Sequence, residues 1–382
     1  MNATVQATTE VQTTVGIHLG TGSANDSPSA VLLFEDYPRP VLTGGFVALV
    51  IMALFGVISN AVSIAALLRS SKLLKNATTA LVINLCFFDL LFSALNTPLT
   101  ASIFWHASWV YSHGLCVAHG VSRYFNTGAS IFTVMAISIN RYVAIIKPSL
   151  YARAFTEGNN LLVVTGTWLV SLSLIFLATA GVWGQFGWDR DTGTCGVMPK
   201  NGRSSKAFIL LVSYFVPPTS FVFFYSRIYW MVRMTQRNLR QYSSKPQRQD
   251  GGAVSAEKVQ RQQRRIAKDW RLLNTVFVIF AVFTLCYLPV VVLKTFRLLD
   301  DYPGIHVFAY VTYYFSGCVN PLIYICMSRE YRQAYKELWP CTKSGTLSES
   351  TGEAERRPCD DYPFFRCCSV LSLPLARRPE SV

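Results

Sequence analysis

The chain has 382 residues, of which 51% are hydrophobic and only 15% charged, with a formal net charge of +14. That balance is too apolar and too poor in charge for an ordinary soluble domain, so membrane residence is the first expectation. The basic excess falls mostly in segments between apolar runs, which points to anionic lipid rather than nucleic acid as its counterpart.

In chain order, residues 1–36 are rich in Thr, Ser, Gly and Ala and read as an exposed tail, closing a first segment 1–40. Asn2-Ala3-Thr4 and Asn25-Asp26-Ser27 make Asn2 and Asn25 candidate glycosylation sites. No basic start and apolar run precede residue 41, so the first span is expected to act as its own insertion signal. Seven apolar stretches follow, 41–68, 78–104, 117–139, 161–183, 207–231, 272–293 and 305–327, the third and seventh being the least apolar. Each is long enough to cross roughly 30 Å of hydrocarbon as a helix. Pro98, Pro217, Pro218, Pro289 and Pro321 interrupt them, which a bundle tolerates because neighbours re-satisfy freed backbone groups. The predicted fold is all-α, a seven-transmembrane helix bundle over 41–327; the alternative is buried helices of a large soluble protein.

Lys and Arg number 16 in loops 69–77, 147–160 and 232–271 but 7 in segments 1–40, 105–115, 184–206 and 294–304. Basic loops stay on the cytoplasmic side, so a plasma-membrane protein with an extracellular amino terminus and a cytoplasmic carboxyl terminus is expected. The third sequon, Asn76-Ala77-Thr78, then faces the cytoplasm and should carry no glycan. Of ten cysteines only Cys116 and Cys195 fall at or beyond the outer boundary, where a disulfide can form; the alternative is two free thiols. The bond would pin the 184–206 loop to the top of the third span.

Charges inside a span are expensive and mark function by default, which singles out Asp89, Arg123 and Arg141. Asp89 stands midway along the second span, and Asn60 sits at comparable depth in the first. Arg141 closes the third span as Asn140-Arg141-Tyr142. The sixth carries Phe283 and Cys286-Tyr287-Leu288-Pro289, and the seventh ends Asn320-Pro321-Leu322-Ile323-Tyr324. Each motif is weak alone, and the ordered set is strong.

With Gly56 before Asn60, Cys116 placed 25 residues before Arg141, Trp168, and Pro217 followed by Tyr225, residues 40–340 resemble the rhodopsin-like family of G-protein-coupled receptors. Within it the Asn-Arg-Tyr variant resembles the melatonin receptors and, more closely, the insect moody and trapped-in-endoderm group. Melatonin receptors usually depart from Asn-Pro in the seventh span, whereas this chain keeps Asn320-Pro321. The resemblance implies a receptor and not an enzyme, passing an extracellular ligand signal to a heterotrimeric G protein, with arrestin, a receptor kinase and membrane lipids as further partners. It implies no cofactor beyond a sodium ion held by Asp89 with Ser130, Ser316 and Asn320, a set of hard oxygens suited to that ion. The alternative there is a hydrogen-bonded buried carboxylic acid. An activation switch is implied at Asn140, Arg141, Tyr142, Tyr225, Phe283, Tyr287, Pro289, Asn320, Pro321 and Tyr324.

Three departures bear on that switch and on the ligand. Most relatives carry Asp where Asn140 stands, so Arg141 is expected to be held less firmly locally and to pair at rest with Asp269; the alternative is that Asp269 is a solvated surface acid. Tyr287 replaces the common Trp below the ligand cavity and brings a hydroxyl that wants a partner. Arg123 lies 18 residues before Arg141, about five turns away and at the depth where the family meets ligand. A cation there argues against amines and for an anionic, lipid-like or other non-amine ligand, with Thr127, Lys294 and Arg297 as further ligand-binding candidates. Arg123 pairing with Asp189, Asp191, Asp300 or Asp301 is held equally open. His106, His113, His119 and His306 show no metal spacing and read as loop residues.

Beyond the seventh span, Tyr331, Tyr335 and Leu338 recur at helical spacing, predicting an amphipathic membrane-surface helix over 328–340. Cys341 is placed for palmitoylation in a cytoplasmic tail 341–382, where Ser344, Thr346, Ser348, Ser350 and Thr351 form a phosphorylatable cluster. A transporter would show an internal repeat, an intramembrane enzyme a constellation around Asp89, and an opsin a lysine in the seventh span; none of these is found.

Overall fold

The structure of the protein, a computed structural model, describes residues 34, 37–189, 192–243, 273–293 and 302–338. All belong to one compact unit, Leu32–Val382; the other, Met1–Val31, falls outside them. Asn2, Asn25, Asp191, Asp269, Lys294, Arg297, Asp300, Asp301 and Cys341 therefore lie outside the described residues.

Chain order gives α1 (Arg39–Arg69), α2 (Ser71–Leu74), α3 (Ala77–Leu91), a π turn (Phe92–Asn96), α4 (Thr97–His106) and α5 (His113–Ile146). After these come α6 (Pro148–Ala154), α7 (Glu157–Thr179), strands β1 (Gln185–Asp189) and β2 (Thr194–Met198), α8 (Lys206–Ser243), α9 (Leu273–Leu293), α10 (Pro303–Met327) and α11 (Arg329–Leu338). Six helical stretches are long and apolar enough to cross a membrane: α1, α3 through α4, α5, α7, and the apolar parts of α8 and α9. The 25-residue α10 matches the seventh predicted span in place. Its polar content, including Thr312, Ser316 and Asn320, accounts for its weaker apolar signal.

The helices are inverted relative to a soluble protein. Ile51, Leu54 and Ile58 of α1, Leu162 and Phe176 of α7, and Val222 and Phe223 of α8 are exposed, while Asn60, Asn84, Asp89, Arg123 and Asn140 are buried. An apolar exterior is what hydrocarbon solvates, and the polar interior is satisfied helix to helix. Asn84 receives a hydrogen bond from the Trp168 indole (2.9 Å) and donates to Thr133 (2.7 Å), joining α3, α7 and α5. Asn60 donates to the carbonyls of Gly56 (2.9 Å) and Gly317 (2.8 Å), joining α1 to α10. A Cβ at Gly56 would stand 2.3 Å from Ser93 Oγ, so only glycine lets α1 meet the second span this closely.

Several element ends differ from expectation. The second span widens into the π turn just before Pro98, which has no N–H to donate and whose ring would collide with the carbonyl four residues back. Thr97 meets the Phe92 carbonyl, five residues back, through its N–H and its hydroxyl (3.1 Å). The third span does not close at Arg141: α5 continues to Ile146, so Arg141 lies inside the helix. The fourth ends at Thr179 rather than 183, followed by Gly181 in a left-handed conformation (φ 69°). Asn76 caps α3 by accepting from the Thr78 N–H, a structural use of that third sequon. His119 and His306, expected in loops, are buried within α5 and α10. Phe34, in the stretch expected to be an exposed tail, is buried and packs edge-on against Phe104.

The amphipathic helix α11 forms as predicted. Tyr331, Ala334 and Tyr335 are buried against the bundle, and the Tyr335 hydroxyl donates to Ser63 of α1 (2.5 Å). Burial pushes the Tyr331 phenol up to about 12, so it stays neutral. Arg332 donates to the carbonyls of Ile325 (3.0 Å) and Cys326 (2.9 Å) and so closes the end of α10.

Candidate functional site

Strands β1 and β2 pair antiparallel, with Trp188 opposite Cys195, and a disulfide joins Cys195 to Cys116 near the start of α5. The hairpin lies hard against that helix, since a Cβ at Gly120 would be 3.3 Å from the Cys195 carbonyl oxygen. Beneath it a cavity of about 790 Å³ opens between α5, α8, α9 and α10. Its walls include Arg123, Thr127, Lys206, Tyr214, Val290 and Tyr310, with Asp189 and Thr192 from the hairpin side.

Arg123 is 3% exposed. Its Nη2 donates to the Cys195 carbonyl (2.6 Å) and to Thr194 Oγ1 (3.2 Å), and its guanidinium lies 5.7 Å from the Tyr124 ring. Tyr310, Tyr313 and Tyr314 stand around it, Tyr314 within hydrogen-bonding reach. Of the loop acids offered as its partner, Asp189 is committed elsewhere: it accepts from Lys206 Nζ (2.6 Å) and from Thr192 Oγ1 (2.9 Å). Among the described residues Arg123 has only neutral acceptors. Thr127 and Tyr313 share a hydrogen bond (2.7 Å) on the cavity floor. Tyr287 lies beside Thr127 and Ser316 and stacks on Phe283 at 4.3 Å.

Deeper in the bundle Asp89 is 3% exposed and accepts from Asn320 Nδ2 (2.7 Å) and Ser130 Oγ (3.3 Å). Two of the three expected companions are therefore on the carboxylate; the third, Ser316, gives its hydroxyl proton to the Tyr313 carbonyl (2.7 Å). Asn320 presents an N–H to Asp89, so the oxygen donors meeting there are the carboxylate and Ser130. One negative charge with a hydroxyl beside it is chemically compatible with a small monovalent cation. Among the described residues no group of three or more His, Cys, Asp or Glu could hold a metal ion.

Toward the α11 end, Arg141 is 7% exposed and held by neighbours after all. Asn140 Oδ1 accepts from its Nε (3.1 Å) and Nη2 (2.6 Å), and Thr78 Oγ1 accepts from Nη2 while donating to Asn140 (2.9 Å). Asn140 Nδ2 is buried without a partner among the described residues. The Tyr225 hydroxyl donates to the Leu273 carbonyl (2.7 Å), tying α8 to α9, and Tyr142 packs on Phe224 at 5.1 Å. The Tyr324 ring lies 5.6 Å from that of Tyr331, and its hydroxyl is buried without a partner among the described residues.

A sequence profile of the 7 transmembrane receptor (rhodopsin family) matches residues 59–324, running from the Asn60 contact to Tyr324. The chain belongs to the rhodopsin family. Its seven-helix bundle is matched by the crystal structure of squid rhodopsin at a TM-score of 0.67 over 79% of this chain and 82% of that one, at 21% identity. Among rhodopsin-family relatives, Protein trapped in endoderm-1 of Drosophila melanogaster is 30% identical over 334 residues, covering 83% of this chain and 82% of its own. G-protein coupled receptor moody of Drosophila pseudoobscura pseudoobscura is 28% identical over 376 residues, covering 84% of this chain. The match spans 56% of moody, so the chain accounts for about half of that relative's length. Melatonin receptor type 1C of Gallus gallus is 26% identical over 312 residues, covering 80% of this chain and 84% of its own.

Sequence reasoning missed the Asp189–Lys206 pair, the tyrosine ring from α10 and the role of Thr78. The spacing of Tyr310, Tyr313 and Tyr314 on a helix was a usable signal for the second of these. The other two join residues whose meeting depends on loop path or helix rotation.

Proposed function

We propose that this rhodopsin-family chain is a plasma-membrane receptor, hairpin end outside and α11 inside, that reports occupancy of the hairpin-end cavity to a heterotrimeric G protein. The observation that carries the ligand side of this reading is Arg123: a buried cation on the wall of a 790 Å³ cavity, with only neutral acceptors among the described residues. An unpaired buried charge is costly and attracts an anion. The ligand is accordingly anionic, lipid-like or otherwise not an amine. At the other end, outward movement of α9 would break the Tyr225 tie to Leu273, and with Arg141 released from Asn140 and Thr78 a cleft would open for the G protein. Asp269 remains a second resting partner for Arg141 in this reading.

Arrestin and a receptor kinase would read the Ser344–Thr351 cluster, Cys341 would carry palmitate, and Asn2 and Asn25 would carry glycans. A sodium ion at Asp89 and Ser130 would compete with the Asn320 contact and favour the resting state; sodium sensitivity that survives Asp89→Asn would remove the ion. The receptor reading is tested by nucleotide exchange on purified G protein in membranes reconstituted with the full chain, with and without anionic amphiphiles. Exchange that rises with ligand and is lost in Arg123→Gln supports it. Exchange unaffected by the receptor overturns coupling, and a response retained by Arg123→Gln overturns the anionic site alone.

A further inference from the structure

The cavity wall holds three formal charges among its described residues, and their arrangement is unequal. Lys206 Nζ and Asp189 Oδ2 are 2.6 Å apart and neutralise each other, whereas Arg123 meets only a carbonyl, a hydroxyl and phenols. Asp189 is also anchored by Thr192, whose carbonyl in turn accepts from Tyr310 (3.2 Å), so the carboxylate is fixed on a hairpin tethered by the Cys116–Cys195 disulfide. The net charge that the described wall residues offer to an occupant is therefore one positive unit. Ile131, Leu210, Val290 and Val291 give the same cavity an apolar lining that a fully hydrophilic anion would not use.

We infer that the cavity selects a ligand with a single negative charge on an otherwise apolar body, and that Asp189 sets this charge count by keeping Lys206 neutralised. A dianion would need a second cation, and Lys206, the other cation among the described wall residues, is already bound. Asp189 is thus a specificity residue acting through Lys206 and not through contact with the ligand. This rests on the anionic-ligand reading above, and the test separates the two.

The full chain in zwitterionic lipid nanodiscs is titrated with tetradecanoate, a monoanion, and with monotetradecyl phosphate at pH 8, where a phosphate monoester is largely dianionic. The readout is the midpoint of thermal unfolding, which needs no G protein. Tetradecanoate is expected to stabilise the wild type more than the phosphate does. Asp189→Asn should tighten the apparent affinity for the phosphate about tenfold, the size of one gained charge-assisted hydrogen bond, and leave tetradecanoate nearly unchanged. Asp189→Asn/Lys206→Gln, which removes both charges, should abolish the gain, and this separates a freed lysine from a merely loosened hairpin. A gain that persists in the double variant, or no change in preference in the single one, overturns the role of Asp189 while leaving the anionic site standing. If neither amphiphile stabilises the wild type beyond its effect on Arg123→Gln, the anionic reading falls and this inference with it.

Discussion

Arg123 and Arg141 stand on one helix, both almost fully buried, and neither meets a carboxylate among the described residues. Their surroundings differ in one respect. Arg123 borders open volume and leaves part of its guanidinium fork free, while Arg141 is packed against an amide and a hydroxyl that hold its Nε and Nη2. The same side chain thereby becomes a site awaiting a counter-charge at one end and a latch at the other. Space beside the cation, more than its burial, separates the two roles.

The largest expected effect comes from uncoupling the hairpin that gives Arg123 its Cys195 contact. Cys116→Ala should cost roughly 2–4 kcal/mol of stability, read as a lowered unfolding midpoint, and should remove the anion response while leaving the Arg141 latch in place. Asn140→Asp sharpens the other side of the comparison. It puts a carboxylate on Arg141 and removes the unpartnered Nδ2, so the latch should tighten by about 1 kcal/mol, and basal nucleotide exchange should fall roughly fivefold. Thr78→Val acts in the opposite sense, raising basal exchange by a factor of about two to five. A double-mutant cycle with Asn140→Asp should show coupling, because both touch one guanidinium. The smallest effect is expected for Tyr335→Phe, which deletes the Ser63 contact and should lower stability by about 1 kcal/mol without changing anion preference. If Thr78→Val and Asn140→Asp proved additive, Arg141 would be no better held than Arg123 and the contrast would fail.

Much of this was legible in the sequence. Apolar run length placed six spans that the structure shows as long apolar helices, because hydrocarbon thickness leaves little choice of element, and α10 falls where the seventh run stands. Cost of burial singled out Asp89, Arg123 and Arg141, and all three are buried. What was not legible depended on rotation and loop path: Thr78 reaches Arg141 only through the way α3 turns against α5, and Asp189 meets Lys206 only because the two five-residue strands β1 and β2 pair antiparallel. Asn140 was expected to weaken the hold on Arg141; its carbonyl oxygen instead accepts twice, which residue charge alone does not foretell.

The π turn at Phe92–Asn96 inserts one residue into the second span, and each α-helical residue advances the chain by about 100°. Everything from Thr97 to His106 is therefore rotated relative to an unbroken helix running on from Asp89. Thr100 owes to that phase its contacts with Tyr314 (2.5 Å) and His119 (3.4 Å). Deleting Ala94 or Leu95 should remove the widened turn, bring the Pro98 ring against the preceding turn and swing Thr100 away from both, so the two halves of this span are geared by a single residue.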